Sequence, residues 1–298
     1  MGPRPTLLAS ILAAALAAGC TTSPGTAPAV DDLSEPAPPA DLASVEDTFA
    51  ARLDGVLEGT WRSAEHRARD AWRNPRETLG FFGIAPGQTV IEITPGAGWY
   101  AEILAPLLRE DGRYIAALPD PARADTPQGR EGRQRGIERL RTKFAEDPSV
   151  YGRPAIVTYD PAAPVLGPAG SADLVLTFRN VHNWTMAGTD AAMFEAFFAV
   201  LKPGGVLGVV DHRARRADAP HDSGYLHQDY VIGLAERAGF RLVESSEINA
   251  NPADTTDHPN GVWTLPPTLN VPEGEDRERY RAIGESDRMT LKFVKPAE

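Results

Sequence analysis

Between positions 89 and 294, short apolar runs alternate with amphipathic segments, and this alternation leaves few folds open. Runs at 89–93, 113–118, 156–159, 173–178, 206–210, 241–248 and 289–294 read as strands. The run at 173–178 is apolar after its first residue, the pattern of a strand buried on both faces. Segments 99–108, 190–201 and 226–238 carry helical spacing, with Phe194, Phe197, Phe198 and Leu201 on one face. Pro86-Gly87, Lys202-Pro203-Gly204-Gly205 and Gly239 punctuate them. Strands that alternate with helices predict an α/β fold, here a doubly wound, mostly parallel sheet of seven strands.

The first 83 residues do not share that pattern. Arg4, an apolar run from Leu7 to Ala18 and small residues before Cys20 read as an export signal over 1–19. The run is shorter than the ~20 residues that span a bilayer. Ala17-Ala18-Gly19-Cys20 resembles a bacterial lipobox, which implies acylation of Cys20 and a membrane anchor. Thr21 at the next position leans the expectation toward the outer membrane, at its periplasmic face. Cys20 is the one cysteine of the chain, as suits an exported protein without disulfides. Residues 20–40 are rich in Pro, Ala, Ser and Thr and read as a tether. A helical extension is expected over 41–83. Leu42, Val45, Phe49, Leu53, Val56 and Leu57 make a helical stripe that Trp61, Ala64, Ala68, Ala71 and Trp72 continue. Asn74-Pro75 with Glu77 reads as a capping box for a last short helix, which Gly83 ends. Residues 84–298 then form the main domain.

The acidic balance, a net charge of -11, argues against a nucleic-acid partner. The acidic surface itself says little about the substrate. In open α/β sheets a small-molecule ligand lies beyond the carboxyl ends of the strands, where strand order reverses. Pro95-Gly96-Ala97-Gly98 follows the first strand and precedes a helix that opens with Trp99 and Tyr100. Glycines there let backbone N–H groups approach a ligand.

The stretch Glu92-Ile93-Thr94-Pro95-Gly96-Ala97-Gly98 resembles the first motif of class I S-adenosylmethionine-dependent methyltransferases. Asp160 after the third strand, Lys202-Pro203-Gly204-Gly205-Val206 and Ala238-Gly239-Phe240 match later landmarks of that superfamily, in order. Pro95 to Tyr100, Arg179 to Trp184, Asp211-His212-Arg213 and Glu285-Ser286-Asp287-Arg288 are similar to a narrower group of exported bacterial methyltransferases. The resemblance implies a Rossmann-like methyltransferase fold with S-adenosylmethionine as cofactor. It implies Glu92, Thr94, Gly96, Gly98, Asp160 and Asn180 as cofactor residues, and a loss of cofactor binding in Gly98→Val. The chain departs from the pattern twice. Thr94 stands where the motif has its first glycine. Leu118 stands where the second strand supplies an acidic residue to the ribose, with Asp120 two positions on as the substitute.

Methyl transfer needs a nucleophile held in line and, where that nucleophile carries a proton, a base. His182 in Arg179-Asn180-Val181-His182-Asn183-Trp184 suits that base, with either His212 to assist it or Asp211 to hold a substrate group. Trp99, Tyr100, Asn183 and Trp184 are expected to line the substrate. Two other readings stay open. One is a binding protein of the cell envelope that uses the same fold without turnover. The other is a metal-dependent hydrolase with ligands drawn from His182, Asp211, His212, His227 and His258. The segments 119–154, arginine-rich around a helix, and 249–285, long and proline-containing, exceed a minimal fold. The first reads as a solvated face or a contact for an anionic substrate, the second as a lid or binding loop.

Overall fold

The structure is a computed structural model that describes residues 40–297, with side chains from 48 onward. The export signal, Cys20 and the tether up to residue 39 lie outside the described residues. No helix among the described residues is long and apolar enough to cross a membrane.

Seven strands form one sheet: β1 (Thr89–Ile93), β2 (Arg113–Pro119), β3 (Ala155–Tyr159), β4 (Ala172–Phe178), β5 (Leu201–His212), β6 (Arg241–Ser246) and β7 (Arg288–Val294). Their order is β3-β2-β1-β4-β5-β7-β6. The first five run parallel, and β7 lies antiparallel between β5 and β6. Chain direction across the sheet reverses between β1 and β4, whose paired residues run from Val90↔Leu174 to Ile93↔Thr177. This is the expected doubly wound fold.

Both faces are covered. Alternation along β1 sends Ile91 and Ile93 to one core, shared with Phe194 and Phe197 of α9 (Asp190–Val200) and Val231 and Leu234 of α10 (Gln228–Arg237). It sends Val90 to the other core, shared with Leu104 of α5 (Ala101–Leu108) and Leu140 of α6 (Pro127–Glu146). Between α6 and β3 lies the short α7 (Pro148–Tyr151).

The N-terminal helices belong to that second core. Phe49 and Leu53 of α1 (Ala40–Leu57) and Leu79 and Phe82 of α4 (Pro75–Phe82) are buried in it. Full burial of each large apolar side chain contributes about 1.5–3 kcal/mol. Gly208, in the middle of a central strand, is explained by this packing. A Cβ there would lie 2.8 Å from the Phe82 ring.

Two local expectations fail. The stripe from Trp61 to Trp72 is not one helix but two single turns, α2 (Ala64–Arg67) and α3 (Asp70–Arg73). Nor does Asn74 form a capping box. It adopts a left-handed conformation with φ 39°, and its side chain instead donates to the Ile248 carbonyl at 2.7 Å. A tertiary partner has outcompeted the local cap. Strand β5 also extends to His212, beyond the expected 206–210, because Asp211 and His212 pair with Met289 and Arg288 of β7.

Candidate functional site

The carboxyl end of β4 turns sharply. Arg179 takes φ +62°, a left-handed value rare for a residue with a long side chain, while its N–H donates to the Val210 carbonyl at 2.7 Å. Asn180 bridges to the neighbouring strand, donating from Nδ2 to the Ile93 carbonyl (2.9 Å) and to Thr177 Oγ1 (3.2 Å). A short helix, α8 (Val181–Ala187), then begins with no side-chain cap of its own. Its free N–H groups need an acceptor, and Asp211 supplies it from β5. Asp211 Oδ2 accepts from Val181 N (2.6 Å) and His182 N (3.4 Å).

The other oxygen, Oδ1, lies 2.8 Å from His182 Nδ1 and accepts from His212 N at 2.7 Å. A carboxylate has only acceptors to offer, so the neutral His182 ring carries its proton on Nδ1 and leaves the lone pair on Nε2. His212 lies beside it, ring centroids 4.9 Å apart, with Nδ1 2.5 Å from Ser286 Oγ. Burial pushes His212 well below its ordinary pKa, and the charges of Arg179, Arg288 and Arg73 push the same way. His212 is therefore neutral at physiological pH. Both imidazoles line a cavity of about 190 Å³ together with Arg179, Asn183, Val262, Trp263 and Thr268. No hydrogen bond engages Nε2 of either ring among the described residues.

The late segment 249–285 thus covers the cavity through Val262 to Thr268. It is fastened from below by Asp254, which accepts from Tyr225 Oη (3.0 Å) and Asp287 N (2.8 Å) and faces His258 Nε2 (2.8 Å). After α11 (Arg277–Ile283), Glu285 enters the interior. Arg69 (2.7 Å), Arg73 (3.2 Å) and Arg288 (3.1 Å) all pair with its carboxylate. Burial acts to raise Glu285, but Arg73, Arg288, Arg179 and Arg69 outweigh it and hold it at about 2. Burial and then Arg179 lower Arg73 to about 9, still charged at neutral pH.

The residues expected to hold a cofactor are spread along the ends of β1, β2 and β3. Glu92 is not at the turn. It is buried in the sheet, accepts from Tyr114 Oη at 2.6 Å, and is pushed up to about 8 by burial. Thr94 takes φ +49° and meets Tyr159 Oη at 3.0 Å. The two glycines of the turn differ. A Cβ on Gly96 would meet open space, whereas one on Gly98 would lie 2.9 Å from Leu140 of α6. Gly98 serves helix packing, so Gly98→Val disturbs α6 before any ligand. Strand β2 runs to Pro119, and Asp120 comes directly off its end. Asp120 accepts from Ala122 N (2.9 Å), and Asp160 pairs with Arg123 (3.3 Å). The open turn at Gly96 and carboxylates at the ends of β2 and β3 fit a nucleoside-bearing cofactor.

The aromatic residues sit deeper than expected. Trp99 donates to the His66 carbonyl and lies under Arg73, 4.7 Å from ring centroid to guanidinium. Tyr100 stacks on Phe178 at 3.6 Å, and Trp184 packs on Phe197 in the core. Asn183 alone of that set lines the cavity.

His182, Asp211 and His212 offer ligand atoms within 4.8 Å of one another. Two observations count against a cation there. Both Asp211 oxygens are already taken by N–H donors, and nearby guanidiniums repel positive charge. His227 caps α10, and His258 faces Asp254, so neither joins the group.

Arg69, Arg73, Ser286 and Trp263 are site-forming residues that sequence reasoning did not single out. Glu285-Ser286-Asp287-Arg288 stood out only as a resemblance. Nothing local marks them, because each acts on a partner far along the chain.

No protein-family model matches the chain, and no curated protein matches its sequence. Solved structures do share its architecture. An S-adenosylmethionine-dependent methyltransferase from Aquifex aeolicus superposes with a TM-score of 0.51 at 14% identity, over 83% of this chain and 98% of its own. The 4+2 cyclase SpnF superposes with a TM-score of 0.54 at 13% identity, over 87% of this chain and 96% of its own. At such identities the likeness concerns architecture: the chain has the Rossmann-like fold of S-adenosylmethionine-dependent methyltransferases.

Proposed function

We propose that this chain is an S-adenosylmethionine-dependent methyltransferase acting on a small molecule. One observation carries the reading. The open turn at Gly96 and the His182–Asp211 pair stand on neighbouring strand ends, at the point where strand order reverses. Asn180 ties the two ends together through the Ile93 carbonyl.

S-adenosylmethionine, when bound, supplies a methyl group on a sulfonium. The backbone of Thr94 to Gly98, Asn180, Asp120 and Asp160 are the residues that would hold it. His182 Nε2 takes the proton of the substrate nucleophile, and Asp211 keeps the ring oriented with its proton on Nδ1. The segment from Val262 to Thr268 keeps water out and holds the substrate near the base. Calorimetric titration with S-adenosylmethionine and S-adenosylhomocysteine tests this. Binding in the micromolar range, about -8 kcal/mol, is expected. Absence of binding at millimolar ligand would remove the reading.

A second reading is a binding protein without turnover. It is favoured by Asp120 and Asp160, both already engaged by local partners, and by Leu118, buried where a ribose contact is usual. Intact cofactor binding separates the two.

We propose further that the protein is exported and lipid-anchored at Cys20 in the cell envelope, on the strength of the lipobox-like segment. Incorporation of labelled fatty acid into the wild type but not into Cys20→Ala is expected. Equal labelling of both would exclude it.

A further inference from the structure

We infer that Arg179 is the anchor of an anion-binding subsite, which holds a carboxylate or phosphate group of the substrate in the cavity beside His182. This deepens the methyl-transfer reading and rests on it for the word substrate. The anion site itself is independent of any cofactor.

Arg179 is partly buried and faces the cavity, yet no hydrogen bond or ion pair holds its guanidinium among the described residues. A desolvated charge left unpaired is costly. Burial lowers it only to about 10, so it stays charged. Its surroundings deepen the demand for negative charge. Arg69, Arg73 and Arg288 already share the buried carboxylate of Glu285, which acts on Arg179 only through space, and Arg69 Nη2, Arg73 Nη2 and Arg288 Nε are buried without acceptors among the described residues. Asp211, the other carboxylate that acts on Arg179, is committed to α8 and the two histidines. The cluster therefore carries an excess of positive charge that no group among the described residues balances.

Geometry points the same way. Arg179 lines both the main cavity and a much smaller one, of about 10 Å³, shared with Arg73, Tyr100 and Arg288. It connects the arginine cluster to the space in front of His182. Its φ of +62° is a strained conformation, at a cost on the order of 1–3 kcal/mol, of the kind that persists at ligand clamps. The cavity, about 190 Å³, is smaller than the ~300–1,000 Å³ typical of drug-sized ligands. It suits a small acid or phosphate ester, with Arg179 as a planar fork for two oxygens. The anion would be fixed at one end, and the nucleophile beside His182.

The same chemistry has a second source, the carboxylate of the cofactor itself. The test therefore has separate arms. Inorganic phosphate, benzoate and S-adenosylhomocysteine are each titrated into the full chain, with chloride and ionic strength fixed. The same titrations are run on Arg179→Gln and Arg179→Gly. The glycine variant relaxes the backbone strain, so its melting temperature without ligand shows that it still folds. Saturable binding of phosphate or benzoate by the wild type is expected, weakened about tenfold or more in both variants. S-adenosylhomocysteine affinity is expected to change little. Equal anion affinity in wild type and variants, or no anion binding by the wild type, would overturn the subsite. A loss confined to S-adenosylhomocysteine would overturn its assignment to substrate and give Arg179 to the cofactor. Failure of S-adenosylhomocysteine to bind any form, with the anion result intact, would leave the subsite standing and remove the methyl-transfer reading alone.

Discussion

The ends of β1, β2 and β3 and the ends of β4 and β5 lie along the same edge of one parallel sheet, yet they are built in opposite ways. On the first side the carboxylate contacts are exposed to solvent. Asp120 and Asp160 each accept from an N–H two residues on, and the Arg123–Asp160 pair is 61% and 30% exposed. On the second side contacts are buried and remote. His182 meets Asp211 29 residues away, His212 meets Ser286 at 74, and Arg73 meets Glu285 at 212. A ligand that must come and go suits the first side. A fixed array of charge and orientation suits the second, where the chemistry is proposed to lie.

The contrast breaks most visibly at its ion pairs. Glu285→Ala leaves the guanidiniums of Arg69, Arg73 and Arg288 without their shared partner. A loss of about 3–5 kcal/mol is expected in denaturant unfolding. Arg123→Ala, across the sheet, is expected to cost under about 1 kcal/mol. Similar losses in the two variants would erase the distinction.

Proton linkage gives the next effect, with opposite signs at two carboxyls. Glu285 lies at about 2 in the folded chain against 4.5, so its contribution is present above pH 4.5 and fades as pH falls toward 2. Glu92 is raised to about 8 from 4.5, so stability is full below pH 4.5 and declines as pH rises to 8. That decline is on the order of a few kcal/mol. Glu92→Gln is expected to flatten it between pH 5 and about 8, as read from melting temperatures. An unchanged slope would show that Glu92 is not the source.

The two glycines of one turn sharpen the comparison further. Gly98→Val drives a side chain into Leu140 and is expected to lose about 1–3 kcal/mol from overpacking, with strain at φ +85° added. A Cβ at Gly96 meets no protein atom within 4 Å, so a valine there carries the strain of φ +60° without the Leu140 clash. It is expected to keep more stability than Gly98→Val and yet to abolish S-adenosylhomocysteine binding in calorimetry. Undiminished binding by Gly96→Val would remove the open turn from the site.

The smallest effect is at Thr94. A glycine there relaxes φ +49° but gives up the contact with Tyr159 Oη, two terms of about 1 kcal/mol each. A melting temperature within a few degrees of wild type is expected, and a large drop would mean that the Thr94–Tyr159 contact dominates.

The same contrast explains what could be read from the chain. All seven strands were legible, because β-branched runs and glycine-rich turns report backbone preference directly. Gly83 and Gly239 marked helix ends correctly, since both take positive φ. The histidine and its carboxylate were visible as residues at strand ends. Their pairing was not, because Asn180, a capping type at the right position, turns to the Ile93 carbonyl instead, and α8 borrows its cap from Asp211 on another strand. The arginine cluster was invisible for the same reason. Arg69 and Arg73 sit in a segment that reads as an ordinary amphipathic helix, and only tertiary packing sets them against Glu285. Asn74 shows the converse, a convincing local cap overruled by the Ile248 carbonyl.

The proposed ligand site spans the reversal of strand order, with cofactor at the Gly96 turn and chemistry at His182. Amide hydrogen exchange of the full chain, with and without saturating S-adenosylhomocysteine, tests it most directly. Slower exchange is expected in two stretches together, 94–98 and 179–183, with little change in β6 at the far edge of the sheet. Protection confined to other segments, or none at either stretch under conditions where the ligand binds, would contradict it.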